Sequence, residues 1–353
     1  MTVFYFPLAF LISLVSVWFF RKIAIKLNIV DRPSGRKMHT KPKAYLGGLA
    51  IYMAIFITMV IYNKFDFQAF EWQMFALSGL IVLLGTYDDI KDMRALYKLL
   101  CQIIIAALTA IWLGGISSIQ VYDVIIYFTF VQGIIVQIIW LVVLINAFNL
   151  IDGLDGLAAG TGIISLTTLL LMGFLANDTS IMLILIVLIG SIFGFLFYNF
   201  YPSTIFLGDG GSMYIGYMIG ILSINNYKTA TLTTTLLILL VAFLPILDAI
   251  LSFVRRKVNG EKAFKADALH FHHRLLLHGY SHSQAVLIMY CFMAIYSVSA
   301  IVISVTRYEV KILVFIGLIM LTIIIVEKFY LLSTKYTYVS NFFRKIFNRR
   351  KNA

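Results

Sequence analysis

Charge is what this chain has least of. Only 12% of its 353 residues are Asp, Glu, Lys or Arg, where soluble domains carry about 25%. No long polar stretch interrupts its apolar segments, so a separate soluble domain is not expected. Cysteine is scarce: Cys101 and Cys291 stand alone in apolar segments. That excludes a disulfide framework and a zinc motif, and both read as small buried residues. Five of the six histidines fall between His270 and His282, too clustered for the several histidine boxes of a membrane di-iron oxygenase. Acidic residues number 16 against 28 basic ones, for a net charge of +12. The basic residues sit in short loops between apolar runs, where they set membrane orientation; no nucleic-acid partner is implied.

What is there is apolar: 61% of the chain is hydrophobic. A helix that crosses a bilayer needs about 20 mostly apolar residues. Such runs predict about eleven spans, near residues 3–20, 46–62, 72–87, 95–113, 131–148, 157–176, 180–197, 211–224, 232–254, 285–305 and 310–332. The eighth is short and is expected to be tilted or broken; the ninth holds Pro245, which should kink it. Residues 114–130 are rich in β-branched side chains and predict a small hairpin. Loops 21–45, 88–98 and 255–284 and the tail from Lys328 hold 24 Lys and Arg, the opposite loops 4. The positive-inside rule then puts the N-terminus outside and the C-terminus in the cytoplasm, with the first helix retained rather than cleaved. The expectation is an all-α polytopic membrane protein with one integral domain over 1–353. Its cytoplasmic loops are 21–45, 88–98, 149–156, 198–211 and 255–284, with a basic interfacial tail at 333–353.

On that topology the acids collect on one side. Asp88 and Asp89 end the third span, Asp152 and Asp155 lie between the fifth and sixth, and Asp209 between the seventh and eighth. Asn149, Asp152 and Asp155 are spaced three apart, with Gly153 and Gly156 beside the aspartates. Taken alone, such a stretch suits a hard divalent cation and a polar turn about equally. Three apolar-flanked acidic clusters at one membrane surface suit a functional site better, because unpaired acids near hydrocarbon are unfavourable. Gly208, Gly210 and Gly211 around Asp209 allow close backbone approach, and a helix opening at Ser212 would offer N–H groups to a phosphate.

Basic groups share that side: Arg36, Lys37, His39, Lys41, Lys43, Lys91, Arg94 and Lys98, and Arg255, Arg256 and Lys257 before His270-Phe-His272-His273-Arg274. Orientation bias explains most of them, but not the histidines, which could ligate a metal or hold an anion. Phe264, Leu269, Phe271 and Leu275 are expected to lay this segment on the membrane surface, and Ser281 with Gln284 forms a capping box for the next span. Acids for a cation and bases for phosphates at a membrane face point to phosphoryl transfer between a soluble donor and a lipid acceptor.

These residues resemble a known family. Asp88-Asp89, Asn146-Ala-Phe-Asn149-Leu-Ile-Asp152-Gly-Leu-Asp155-Gly, Phe206-Leu-Gly-Asp209-Gly-Gly-Ser212 and His270-Phe-His272-His273-Arg274 are similar to motifs of the polyprenyl-phosphate N-acetylhexosamine-1-phosphate transferases. Arg36 through Gly48, Pro245-Ile-Leu-Asp248, Asp267 and Gly279 through Ala285 fit as well, in order from about residue 31 to 290. The His-x-His-His-Arg pattern resembles the bacterial WecA/TagO branch; the related lipid I enzymes carry three consecutive histidines. The resemblance implies transfer of GlcNAc-1-phosphate from UDP-GlcNAc to undecaprenyl phosphate with release of UMP, priming a cell-wall or surface polysaccharide at the bacterial cytoplasmic membrane.

The resemblance also implies roles. Asp209 is the magnesium ligand, with Asp88 and Asp89 as further candidates; these three form the catalytic set. Lys98 binds phosphate. Asn149, Asp152, Asp155 and Asn199 bind the donor's nucleotide-sugar part. His272, His273 and Arg274 contact its diphosphate and sugar. Mg2+ is the implied cofactor, with Mn2+ able to substitute. The partners are the UDP-sugar donor, undecaprenyl phosphate and membrane lipid, with no nucleic acid; a homodimer is compatible with the reading. Transfer from UDP-MurNAc-pentapeptide is the nearest alternative. A transporter is a different class, and would place ionisable groups near the midplane. Only Asp248 remotely suits that, and it reads better as a loop brace. An intramembrane aspartyl protease would need its acids within the bilayer, and Phe206 replaces its motif glycine.

Overall fold

The structure is a computed structural model that describes residues 2–31, 42–63, 69–112, 114–121, 124–177, 181–228, 239–258, 270–329 and 331. Arg36, Lys37, His39, Lys41, Phe264, Asp267, Leu269 and the tail 333–353 lie outside the described residues. Those residues form twelve α-helices: α1 Tyr5–Lys26, α2 Gly47–Asn63, α3 Ala69–Lys91, α4 Ala95–Trp112, α5 Phe130–Ile151 and α6 Leu157–Leu175. They continue as α7 Met182–Asn199, α8 Gly208–Lys228, α9 Phe243–Val258, α10 Phe271–Leu277, α11 His282–Val305 and α12 Tyr308–Lys328. Seven (α1, α4, α5, α6, α7, α11 and α12) are long and apolar enough to cross a membrane. The helix α2 is apolar but shorter; α3, α8 and α9 fall on expected spans without meeting that measure.

The helices form because their sequences are apolar and nearly uncharged, and polar residues mark their starts. Thr129 and Gln132 make a capping box for α5, and Ser281 with Gln284 makes the expected one for α11. The hairpin expected within 114–130 is present as β3 Ser118–Val121 paired with β4 Val124–Tyr127. A second ribbon was not foreseen: β1 Val30–Asp31 pairs with β2 Lys43–Ala44. Ala44 also bridges Ile205, and its carbonyl accepts from Phe206 N at 2.8 Å, tying the chain before α2 to the chain before α8.

The eighth span is neither short nor broken. Helix α8 runs 21 residues, and positions 210–224 are all buried. It packs on α5, α3, α2 and α6. Its Gly, Ser and Tyr content shortened its apolar signature, because protein rather than lipid surrounds it; small residues let membrane helices approach closely. A Cβ on Gly48 would lie 2.3 Å from Gly211 N, and one on Gly85 2.4 Å from Gly210 N. Backbones therefore touch on both sides of the start of α8.

The break expected at Pro245 is present, and two further expectations change. Pro245 lies in the first turn of α9, and the helix is interrupted before it, at Ala242. Proline cannot bond the carbonyl four residues back, and Ser165 Oγ supplies that Val241 carbonyl with a donor at 2.7 Å. Cys101 is half-buried and Cys291 exposed, facing outward from the bundle instead of into it. Phe271 and Leu275 do not lie on a membrane surface: both are buried, Phe271 against Phe292 and Phe329. Burying those side chains within the bundle removes more apolar surface than floating them in the headgroups.

Candidate active site

Helices α1, α3, α5 and α7 end where α2, α4, α6 and α8 begin, so their polar termini meet at one end of the bundle. Asp209 opens α8. Its backbone N–H donates to Asp89 Oδ1 at 2.9 Å, and that of Gly210 to Asp89 Oδ2 at 3.4 Å. Asp89 therefore satisfies donors that a helix N-terminus leaves without partners and places negative charge at its positive end. The helix opens at Gly208, four residues before the expected Ser212, and the N–H groups it offers are in part committed to this carboxylate.

The Asp209 side chain faces Lys98 and Asn149. Lys98 Nζ lies 2.8 Å from Asp88 Oδ2, pairs with Asp209 Oδ2, and donates to Asn149 Oδ1 at 3.0 Å. Asn149 Nδ2 donates to Asp209 Oδ1 at 2.9 Å and Ser212 Oγ at 3.1 Å. Met93 N donates to Asp88 Oδ1 at 2.6 Å. Four helix termini thus converge on one ammonium group. One turn deeper, Asn146 Nδ2 donates to Gln102 Oε1 at 2.7 Å, and Gln102 Nε2 approaches Met213 Sδ at 3.8 Å. Gln102 and Asn146 form a second rung that sets α4 against α5 beneath Lys98 and Asn149. Sequence reading assigned neither a role. Their signal was helical spacing, 98 with 102 and 146 with 149, of amides in apolar runs.

Asp155 belongs to a second cluster. Its Oδ2 accepts from Lys43 Nζ at 2.9 Å and Ser203 N at 3.0 Å, and Lys43 also donates to Ser203 Oγ at 2.8 Å. Lys43 Nζ stands 4.8 Å over the Phe206 ring. Asn199 is buried, and both ends of its amide serve the backbone. Its Oδ1 accepts from Gly156 N, and its Nδ2 donates to Ile205 O, each at 3.0 Å.

The histidine segment arrives from the far side. Asp248 Oδ2 lies 2.9 Å from His270 Nδ1, and its Oδ1 accepts from Phe271 N at 2.8 Å. Asp248 thus braces the start of α10, as its sequence setting suggested. His272 is buried, and neither ring nitrogen has a hydrogen-bond partner among the described residues. A Cβ on Gly153 would lie 2.1 Å from His272 Nε2, so the acidic loop passes this ring only because residue 153 has no side chain.

A cleft of about 680 Å³ opens between these groups, within the range of small-molecule sites. Asp89, Asp152 and Asp209 line one part; Lys43, Asp155, Tyr201, Ser203, Phe206 and His282 line another. His273 reaches its wall, while Asp88, Lys98, Asn149, Asn199, His272 and Arg274 do not line it. Tyr201 and His282 stack with ring centroids 4.4 Å apart. Burial, then the charges of Asp209, Asp89 and Asp155, push the Asp152 carboxyl well above the usual carboxylate range. Asp89, past the apolar run of α3, is pushed up to about 7 by burial and Asp209, against the pull of the two N–H groups it accepts. Burial and the neighbouring His273 hold His272 down at about 3, a neutral imidazole at physiological pH.

Fold and cleft together define a multi-pass membrane protein with an acidic, substrate-sized site where its helix termini meet. Residues 72–227 match the glycosyl transferase family 4. A Bacillus subtilis (strain 168) protein named "Probable undecaprenyl-phosphate N-acetylglucosaminyl 1-phosphate transferase" is 34% identical over 97% of each chain. The "Decaprenyl-phosphate N-acetylglucosaminephosphotransferase" of Mycolicibacterium smegmatis is 32% identical over 83% of this chain and 79% of its own. The Escherichia coli (strain K12) "Undecaprenyl-phosphate alpha-N-acetylglucosaminyl 1-phosphate transferase" is 26% identical over 79% of this chain and 78% of its own. The chain belongs to this glycosyl transferase family, the one its motifs resemble.

Proposed function

We propose that this protein transfers GlcNAc-1-phosphate from UDP-GlcNAc to undecaprenyl phosphate, releasing UMP and leaving a lipid-linked primer for a surface polymer. The observation that carries the reading is the convergence of Asp88, Asp209, Lys98 and Asn149 behind a cleft that Asp89 and Asp152 also line. An oxygen of the lipid phosphate attacks the β-phosphorus of the donor. The bond from that phosphorus to the bridging oxygen breaks, and the electron pair leaves with UMP. Lys98 offsets charge on Asp88 and Asp209, and Asn149 holds Asp209 in one rotamer by bonding its second oxygen. Asp89 keeps the head of α8 in place beneath them. The Lys43–Asp155–Ser203 cluster firms the aromatic part of the cleft, where the nucleotide is set, while the diphosphate lies toward the acids.

The donor set fits a hard divalent cation: carboxylate oxygens predominate in the cleft. Among the described residues no three His, Cys, Asp or Glu side chains could hold a metal alone. Magnesium usually takes one or two carboxylates together with substrate phosphates, a share that Asp209 with Asp88 or Asp89 would supply. An ion held by these carboxylates would offset charge on the diphosphate and on the leaving UMP. Manganese is expected to replace it. The proposal includes about eleven spans, an outer N-terminus, and the cleft at the cytoplasmic face of the bacterial membrane, where a nucleotide sugar is available.

The test incubates membranes containing the protein with sugar-labelled UDP-GlcNAc and undecaprenyl phosphate. Labelled lipid and UMP in equal amounts are expected, stopped by EDTA and restored by magnesium or manganese. UDP-MurNAc-pentapeptide runs alongside; product from it alone would move the protein to the other branch, and no lipid product from either donor would end the reading.

A further inference from the structure

Arg21 read in the sequence as one of many basic residues that orient a membrane protein. The structure places it elsewhere. It lies in the last turns of α1 and lines the cleft together with Asp31, Tyr45, Asp89, Asp152 and Asp209. Two Lys or Arg side chains line this cleft among the described residues, Arg21 and Lys43. Lys43 is committed to Asp155 and Ser203. Arg21 makes no hydrogen bond or ion pair with a described residue, and its Nε is buried without a partner. Its neighbour Lys22 behaves differently: it is exposed and sits 3.7 Å over the Trp18 ring, on a flank of α1 where Trp18 and Ile25 are also exposed.

A buried donor without an acceptor is destabilising unless something else meets it. Asp89 and Asp152 share the cleft with Arg21, yet neither pairs with it. Asp89 is held by α8, and burial disfavours the charged form of Asp152. A guanidinium presents a planar fork of donors that matches two oxygens of a phosphate at once. We propose that Arg21 is a substrate-binding residue that takes anionic phosphate oxygens in this cleft. The inference rests on the proposed phosphoryl transfer. Two phosphates could supply those oxygens: the diphosphate of the nucleotide sugar, or the headgroup of the lipid acceptor arriving along α1.

The experiment compares Arg21→Gln, Arg21→Lys and Lys22→Gln with the wild type in detergent. KM is measured for each substrate with the other saturating, and thermal melting is followed in parallel. Arg21→Gln is expected to raise one KM by about 10- to 100-fold, the loss of a charge-assisted hydrogen bond. Arg21→Lys keeps the charge without the fork and should recover part of that loss. Lys22→Gln removes the same charge one residue away and should leave both KM values alone. The substrate whose KM rises identifies the phosphate. If the wild type turns over and Arg21→Gln leaves both KM values unchanged, the Arg21 assignment is overturned and the function stands. If Arg21→Gln does not fold, Arg21→Lys decides: one raised KM supports the assignment, none overturns it. A wild type that makes no lipid product removes the function and this inference together.

Discussion

Helices α8 and α12 are the same length, 21 residues each, and have opposite chemistry. α12 is the most apolar of the seven candidate spans, yet only Leu318 and Ile325 on it are buried. α8 carries Asp209, four glycines within its first nine residues, Ser212 and three tyrosines, and is buried without a break from 210 to 224. In water this would be inverted. In lipid the apolar side chain gains nothing by turning inward, so the greasiest helix stays outside, and the helix that others approach at backbone distance lies at the centre. Burial in this protein therefore marks contact with protein, and polarity marks the place where protein replaces lipid. The candidate site follows from that: Asp209 sits at the head of the most enclosed helix.

Substitutions along the two helices should separate these roles. The largest effect is expected at the head of α8. Asp209→Asn keeps the shape but removes a charge facing Lys98, and kcat should fall by at least about 10³-fold while the protein still inserts; full turnover in that variant would contradict the site. Next comes the contact between α8 and α2. Gly48→Ala puts a methyl group 2.3 Å from Gly211 N and should lower stability by about 1–3 kcal/mol, seen as an earlier melting transition in detergent. The smallest effect belongs to α12. A Cβ at Gly317 meets nothing within 4 Å, so Gly317→Ala should be neutral or stabilise by no more than about 1 kcal/mol, with activity unchanged. The same substitution would then destabilise where α2 meets α8 and not on α12; equal effects at positions 48 and 317 would break the comparison.

Particular residues show how much was legible. Asp88, Asp89, Asp152, Asp155 and Asp209 stood out because a charge beside a long apolar run has few structural explanations. Their convergence was expected, and the termini of four helices bring it about. The division of labour was not visible. Asp89 caps α8, Asn199 serves the backbone and Gln102 braces Asn146, and each depends on a partner 6 to 120 residues away. Periodicity reports which face of a helix is apolar, but not whether lipid or protein covers it. For that reason α8 looked short, and Phe271 and Leu275 looked interfacial.

The sequence by itself determined that the chain is a helical membrane protein, which end of its spans carries the acids, and which reaction class those acids suit. Each of these follows from composition and local spacing, which act over a few residues. Only the tertiary structure decided which carboxylate meets Lys98, which meets a helix terminus, and which cation in the cleft has no counter-ion among the described residues. Those outcomes are set by helices packing across more than a hundred residues of chain, where one absent Cβ, at Gly48 or Gly153, governs how closely two polar groups can come.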